Sequence, residues 1–337
     1  MRRVSEWTTR ELSAVVGEFG LQPVSFTPVR RAWRVDTVDG PRFLKCTTLT
    51  APELTFVAAA LDYLRRRGEP APQLELDCRG RPWVERQGYA FLLTDWVDGR
   101  EAHFPDPADL VLAVEAVAYL HLRGEGFRPP PAGHLRVEWG RWPERFGRRA
   151  VQLQVFREAA RAAGGRVDRA YLALWPYHFE QARKALKLLE SSAYPFLSAA
   201  GRRRPVICHH DLSERNFLLS GGGVRLIDFD YCLYDFPAHD LANFLQRQAQ
   251  AEDWEAAPAQ SALRFYERVR PLQRGERRLL LALLIWPHRY WLLGWQRYTE
   301  RLLWPEERWL DALAKRAEEA ELREEYLAGL RAELGER

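Results

Sequence analysis

The segment from Pro205 to Leu241 constrains the fold of this chain more than any other stretch. An apolar run at its start leads into a polar loop, and two further apolar runs follow at Phe217–Leu219 and Val224–Ile227. Short apolar runs bounded by polar and turn residues favour strands over helices. We therefore expect two short strands around this loop, with Gly221–Gly223 as the turn between them.

Three oxygen-bearing side chains follow or precede these runs: Asp211, Asn216 and Asp228. One carboxylate can accept the proton of a substrate hydroxyl, while an amide oxygen and a second carboxylate can hold Mg²⁺ against nucleotide phosphates. Taken singly, each is more typical of a turn residue. Their spacing together predicts a phosphoryl-transfer site, with Asp211 as base and Asn216 and Asp228 as metal ligands.

Two neighbours of these residues, His209 and Asp230, could support the site or take part in it. We expect His209 to hold the loop through hydrogen bonds, because the adjacent pair His209 and His210 is poorly placed to bind one ion. Asp230 lies two residues after Asp228, and the sequence leaves open whether it shares the metal or supports the residues that bind it.

The N-terminal part predicts a small sheet with helices. Helical periodicity covers residues 5–20 and 52–67, and strand alternation covers 23–48. Further strands are expected near 74–76, 81–85 and 89–94. The second strand of the hairpin carries Lys45, one of four lysines among 50 basic residues. A lysine kept in such an arginine-rich chain suggests a need for a compact ammonium group.

After Gly99 the pattern becomes mainly helical, at 106–123, 168–192 and 236–337. This order predicts an α+β fold with two lobes, residues 1–97 and 98–337. Leucines near heptad spacing in the last helix favour a packed, solvated helix over a coiled-coil site.

Composition disfavours several classes of protein. The formal charge of +4 and short, scattered arginine clusters do not favour a nucleic-acid partner. Residues 1–20 lack a signal-peptide pattern, and no run reaches the roughly 18 apolar residues of a membrane span. The spacing of the four cysteines fits neither a disulfide framework nor a zinc site, so we expect a cytoplasmic protein.

The block 208–245 resembles the aminoglycoside phosphotransferase and choline kinase superfamily, small-molecule relatives of protein kinases. It is similar above all to the spore coat CotS-like branch, and the resemblance covers roughly residues 20–300. The matching features are Arg30, Arg31 and Trp33, then Phe43–Lys45, Leu93–Arg100, Val117–His121, Asp228–Cys232, Asp235–Ala242 and Trp286–Trp291.

This resemblance implies a protein-kinase-like bilobal fold that uses ATP and Mg²⁺. Residues 1–97 would form the nucleotide-binding lobe, and 98–337 would form the helical lobe for catalysis and substrate. Lys45 would contact the α- and β-phosphates, and Glu53 would orient it through an ion pair. The alternative for Glu53 is a first-turn glutamate favoured by the helix dipole. Asp235 and Asp240 would anchor the following loop and helix. The connector whose backbone reads adenine would consist of Thr94, Asp95, Trp96 and Val97.

The chain also departs from the family pattern. Pro28–Trp33 stands where a glycine-rich loop would precede Lys45, so either arginine side chains substitute or nucleotide affinity is poor. His210 and Ser213–Arg215 also depart from the usual residues of the loop. A protein-kinase activation segment is absent from the sequence, which favours a small-molecule acceptor over a peptide.

Two functions remain open at this point. The first is an ATP- and Mg²⁺-dependent phosphotransferase acting on a hydroxyl of a small molecule. The second is a kinase-fold spore coat protein with weak or no catalysis, which would have other coat proteins as partners and a spore-coat location.

Overall fold

The computed structural model describes residues 6–133 and 136–335. The chain forms two compact units, and each consists of three separate segments of the sequence. The lobe boundary expected between residues 97 and 98 is a different division of the chain and stays a prediction. The first unit comprises Met1–Ala102, Tyr119–Val137 and Pro205–Tyr234, and the second comprises His103–Ala118, Glu138–Arg204 and Asp235–Arg337.

The first unit is built on a five-stranded antiparallel sheet of order β1-β2-β3-β5-β4. Two helices accompany it, as the periodicity predicted. The elements are α1 Thr9–Glu18, β1 Pro23–Val29, β2 Ala32–Thr37, β3 Gly40–Thr47, α2 Ala51–Arg66, β4 Val84–Arg86 and β5 Tyr89–Asp95.

Strand β5 is apolar along most of its length because both of its faces are buried. Phe91 and Leu93 belong to the cluster that includes the apolar face of α1. Ala90 and Leu92 pack with Leu54 of α2 on the other face. Since side chains alternate along a strand, one continuous apolar run serves two helices.

The predicted hairpin is confirmed, with Trp33, Val35 and Thr37 all buried on β2. The strand expected at 74–76 is wrong, since only Leu74 makes an isolated bridge, to Thr94. The following residues form a turn instead. The Asp77 carboxylate accepts hydrogen bonds from the backbone N–H groups of residues 79 and 81, groups that could otherwise pair with a neighbouring strand.

Two smaller sheets complete the first unit. Strand β7 (Ile207–Cys208) pairs with β10 (Leu233–Tyr234). Strands β6 (Arg100–Glu101), β8 (Phe217–Ser220) and β9 (Gly223–Leu226) form the other sheet, in the order β6-β8-β9, and its β8–β9 hairpin is the one predicted. The chain reaches β6 through Gly99, where a Cβ would lie 2.7 Å from the Leu219 carbonyl oxygen.

The second unit is helical, as expected. Helix α11 packs along α5, α8 and α9 through residues such as Trp309 and Leu327, so it is the packed helix that the sequence favoured. No helix in the described part of the chain is long and apolar enough to cross a membrane. The helices of the second unit include α3 Pro107–Arg123, of which the residues up to 118 belong to this unit. The others are α4 Trp142–Ala163, α5 Arg166–Glu190, α6 Tyr194–Arg203, α7 Pro237–Ala251, α8 Ala256–Val269, α9 Arg274–Ile285, α10 His288–Gly294 and α11 Glu306–Glu333.

Candidate active site

The loop after β7 is held by one buried imidazole. His209 Nε2 lies 2.9 Å from the carbonyl oxygen of Ile227, and Nδ1 lies 3.2 Å from the backbone N of Asp211. A carbonyl can only accept and a peptide N–H can only donate, so a neutral ring protonated at Nε2 satisfies both bonds. His209 therefore links the loop of Asp211 to the strand end before Asp228.

The side chain of Asn216 contacts Asp211 directly. Its Nδ2 donates to the Asp211 carbonyl oxygen at 2.8 Å and to Asp211 Oδ2 at 3.1 Å. Both partners are acceptors, which fixes the amide orientation and turns Oδ1 away from Asp211. Asn216 ends a short 3₁₀ turn, Glu214–Asn216, and is 2% exposed. The arrangement places a carboxylate and a neutral amide oxygen within one loop.

Asp228 adopts a left-handed backbone conformation, with φ 67° and ψ 62°. Few residues other than glycine do so, although aspartate is among the more tolerant. The chain turns there into a 3₁₀ turn, Phe229–Tyr231, and the buried Phe229 ring lies 4.7 Å from the His209 ring. The turn thus presents Asp228 and Asp230 beside the loop that His209 holds.

Lys45 of β3 forms ion pairs with both aspartates, contacting Asp228 and lying 2.9 Å from Asp230 Oδ2. Burial alone would lower the pKa of Lys45, but the charges of Asp230 and Asp228 outweigh it and raise that pKa above its ordinary value. For Asp228, burial would raise the pKa, but Lys45 holds it below the usual range. All of these contacts lie within the first unit.

Glu53 lies in the first turn of α2 and contacts Thr50, the residue before that helix. Its Oε2 accepts hydrogen bonds from the backbone N and the Oγ1 of Thr50, at 2.9 and 2.8 Å, and so caps α2. Lys45 itself forms ion pairs with Asp228 and Asp230, and the ion pair expected between Glu53 and Lys45 stays a prediction. The alternative, a first-turn glutamate, describes the observed geometry.

The four residues of the expected connector follow one another at the end of β5. The Asp95 carboxylate accepts from the backbone N of Gln73 at 2.7 Å and from Arg225 at 2.6 Å, so it is engaged within the protein. The indole of Trp96 donates to Asp98 at 2.8 Å. Thr94 is the last residue but one of β5, and Val97 lies just beyond it.

A two-residue turn stands where a glycine-rich loop would be expected. Val29 pairs with Ala32, which leaves only Arg30 and Arg31 between the strands, and Arg30 has a φ of 56°. The Arg30 guanidinium forms an ion pair with Glu101 of β6. The hairpin is therefore tight, and cationic side chains occupy its tip.

Asp235 and Asp240 belong to the second unit, around the start of α7. Both are buried. Asp235 Oδ1 accepts from the backbone N of Phe236 at 2.9 Å, and burial raises the pKa of its carboxyl group to about 7. Asp240 Oδ1 lies 3.8 Å from His239 Nδ1.

Arg136 was not predicted from the sequence; it donates to the Asp230 carbonyl oxygen at 2.5 Å and so supports the turn after Asp228. It lies in a loop rich in proline and glycine that lacks a periodic pattern. Tyr234 donates to the carbonyl oxygen of Phe127 at 2.8 Å and packs on Phe56 of α2. No local signal marked these supporting residues.

Proteins that are similar to this chain in sequence or in structure include a spore coat protein and several phosphotransferases. The chain is 21% identical over 301 residues to spore coat protein S of Bacillus subtilis (strain 168), covering 88% of this chain and 86% of that protein. The crystal structure of an aminoglycoside phosphotransferase from Alicyclobacillus acidocaldarius subsp. acidocaldarius DSM 446 superposes with a TM-score of 0.83 at 22% identity, covering 99% of each chain.

Spectinomycin phosphotransferase APH(9)-Ia, solved with ADP and spectinomycin, superposes with a TM-score of 0.59 at 13% identity, over 94% of this chain and 98% of that chain. These likenesses confirm the α+β, protein-kinase-like fold. The family model described as the phosphotransferase enzyme family (APH) matches residues 29–281. This match covers most of the chain, which therefore belongs to that family of phosphotransferases.

Proposed function

We propose that this protein transfers the γ-phosphoryl group of ATP to a hydroxyl group of a small molecule in an Mg²⁺-dependent reaction. The observation that carries the proposal is the grouping of Lys45, Asp211, Asn216 and Asp228 within one compact unit. Asn216 bonds Asp211, Lys45 bonds Asp228, and His209 joins the two segments. These residue types are the ones that phosphoryl transfer requires.

The four residues divide the work by their chemistry. Asp211 accepts the proton of the acceptor hydroxyl as its oxygen forms a bond to the γ-phosphorus, and ADP leaves as the bridging P–O bond breaks. Lys45 contacts the nucleotide phosphates. Asn216 Oδ1 and the Asp228 carboxylate are hard oxygen donors of the kind that Mg²⁺ prefers. Bound there, the ion would neutralise charge on the phosphates.

Other features support ATP as the phosphoryl donor and a small molecule as the acceptor. In the part of the chain that the structure describes, the peptide groups of Trp96 and Val97 make no backbone hydrogen bond and are available to an adenine base. Only eight residues separate Asp228 from Pro237 at the start of α7, too few for a peptide-binding activation segment. We therefore favour a small acceptor over a protein substrate.

A second candidate function rests on the hairpin tip. The turn at Arg30 and Arg31 lacks the glycines that let a backbone approach phosphates closely, and spore coat protein S is among the relatives. A kinase-fold coat protein with little or no catalysis would satisfy both observations. It would be located in the spore coat with other coat proteins as partners, whereas the enzyme would be cytoplasmic.

Calorimetry with Mg²⁺–ATP and an acceptor screen that measures ADP release test the proposal together. We expect the wild type to bind nucleotide and to turn over at least one hydroxyl compound. Asp211→Asn should bind nucleotide within about threefold of wild type and lose about 100-fold or more in turnover. The matched control is Asp62→Asn, an exposed aspartate on α2, which should change neither quantity.

Two results would oppose the proposal. An absence of binding at millimolar Mg²⁺–ATP would favour the coat-protein alternative. Turnover by Asp211→Asn at the wild-type rate would refute the assignment of Asp211 as the base.

A further inference from the structure

A cavity of about 570 Å³ lies in the helical second unit, beside the first turns of α4. Its size is in the range of pockets that hold small molecules. Arginines and tryptophans dominate its wall, namely Arg141, Arg145, Arg148, Arg149, Trp291 and Trp295. None of the four residues assigned to phosphoryl transfer above lines this cavity.

The charge of the wall is positive. Four arginines and two glutamates line the cavity, which gives a formal charge of +2. Glu138 forms an ion pair with Arg145, and Glu144 lies 3.6 Å from Arg148. Among the described residues, no carboxylate lies within ion-pair distance of the remaining two arginines, Arg141 and Arg149. Two guanidinium groups are thus left without an opposing charge.

Arg149 is the more constrained of these two. It is half-buried, and its guanidinium carbon lies 4.1 Å from the centre of a Trp291 ring. Burial, together with the charges of Arg145 and Arg148, lowers the pKa of Arg149 to about 10. The group stays charged at neutral pH, and a bound anion would offset the repulsion from its neighbours.

The tryptophans give the cavity a fixed aromatic side. Trp291 is buried, and its indole N–H donates to Gln152 Oε1 at 2.9 Å. Trp295 stacks against it, with ring centres 5.8 Å apart. A ligand with a flat or apolar skeleton can lie against this surface while its anionic group meets the arginines.

We propose that this cavity binds a small organic anion. Arg141 and Arg149 hold its carboxylate or phosphate group, and its carbon skeleton contacts Trp291 and Trp295. The formal charge of the wall disfavours polycationic ligands such as amino sugars. Binding to this cavity is measured without turnover, so the proposal can be tested whether or not the proposed function is correct.

Three naphthalene probes that differ mainly in charge provide the test: 2-naphthoate, 2-naphthylmethanol and 2-naphthylmethylammonium. Each is titrated into the full chain by calorimetry, with saturating Mg²⁺–ADP to occupy the nucleotide site. We expect the carboxylate to bind at least tenfold more tightly than the alcohol, the cation to bind more weakly than either, and added salt to weaken carboxylate binding.

Variants then locate the binding. Arg149→Gln and Arg141→Gln should each raise the Kd of the carboxylate several-fold or more. The matched control is Arg157→Gln, because Arg157 lies on the same helix and stacks over Trp175 at 4.4 Å but does not line the cavity. It should leave the Kd within twofold. Circular dichroism checks that each variant is folded.

The proposal is overturned if the alcohol or the cation binds as tightly as the carboxylate. It is equally overturned if both cavity variants, shown to be folded, keep the wild-type Kd. Neither result would bear on the turnover of the Asp211→Asn variant, so a failure here is distinguishable from a failure of the proposed phosphotransferase activity.

Discussion

Replacing Lys45 by methionine tests the electrostatic core of the candidate site. The substitution keeps a chain of similar length and removes the ammonium group that contacts Asp228 and Asp230. Two carboxylates that share one cation would then face each other without it. We expect Lys45→Met to fold but to be less stable than wild type at neutral pH.

The expected loss is about 2 kcal/mol. A pair of unit charges 2.9 Å apart is worth about 6 kcal/mol at an effective dielectric constant of about 20. The cost of burying the charges offsets much of this. Solvent screens the rest in part, since the Lys45 and Asp228 side chains are 22% and 35% exposed.

The loss should depend on pH in a defined direction. The folded pKa of Asp228 lies below its ordinary value, so the pair contributes stability above the unfolded pKa of about 3.9. That contribution is lost as the pH falls through the lower, folded pKa. The difference in the free energy of unfolding between wild type and Lys45→Met should therefore have its full value at pH 7 and should become smaller below about pH 4.

Urea unfolding followed by circular dichroism at pH 7 and pH 3.5 measures this difference. Lys184→Met, which removes an exposed lysine of α5, should match wild type at both pH values. Adding Asp230→Asn to Lys45→Met should restore part of the lost stability, because it removes one of the two facing carboxylates. Equal stability of wild type and Lys45→Met at pH 7, or a gap that widens in acid, would refute the reasoning.

Two further predictions concern the other carboxylates. Glu53→Ala should cost about 1 kcal/mol of stability through loss of the α2 cap while changing the Kd of Mg²⁺–ATP less than twofold, and a tenfold weaker Kd would instead restore Glu53 to the nucleotide site. For Asp235, whose pKa is raised to about 7, the folded state binds more protons than the unfolded state between about pH 4 and 7, so stability should fall as the pH rises through that range. Asp235→Asn should abolish this slope in urea titrations, and a variant that keeps the wild-type slope would contradict the assignment.

Local patterns predicted the first unit well and part of the second. The hairpin that carries Lys45 was predicted because apolar and polar residues alternate along β2, where Trp33 and Val35 are buried and Arg34 and Asp36 are only partly buried. Helix α4 was missed although Trp142, Phe146 and Phe156 lie on its buried face. Val151 and Val155 are 59% and 58% exposed on the same helix, and these exposed apolar residues blur the helical period.

For the candidate site, spacing was enough to pair Asp211 with Asn216, which lie five residues apart. The pairing of Lys45 with Asp228 spans 183 residues and was not predicted, because no local pattern brings these two residues together. For Glu53 the sequence left two interpretations open. A helix N-terminus and a lysine can compete for the same carboxylate, and the backbone N–H of Thr50 donates to this one.

The double ion pair at Lys45 has a consequence for the order in which ligands enter. While the ammonium group rests on Asp228, a lone Mg²⁺ ion meets a carboxylate whose charge is already matched, so affinity for the free ion should be low. If the proposed function is correct, phosphate oxygens arriving with the nucleotide would offer the lysine another anion and would free the aspartate to bind the metal. The protein would thus bind the cation and the nucleotide together as one complex. In the absence of nucleotide, the lysine would keep the metal ion from binding to Asp228.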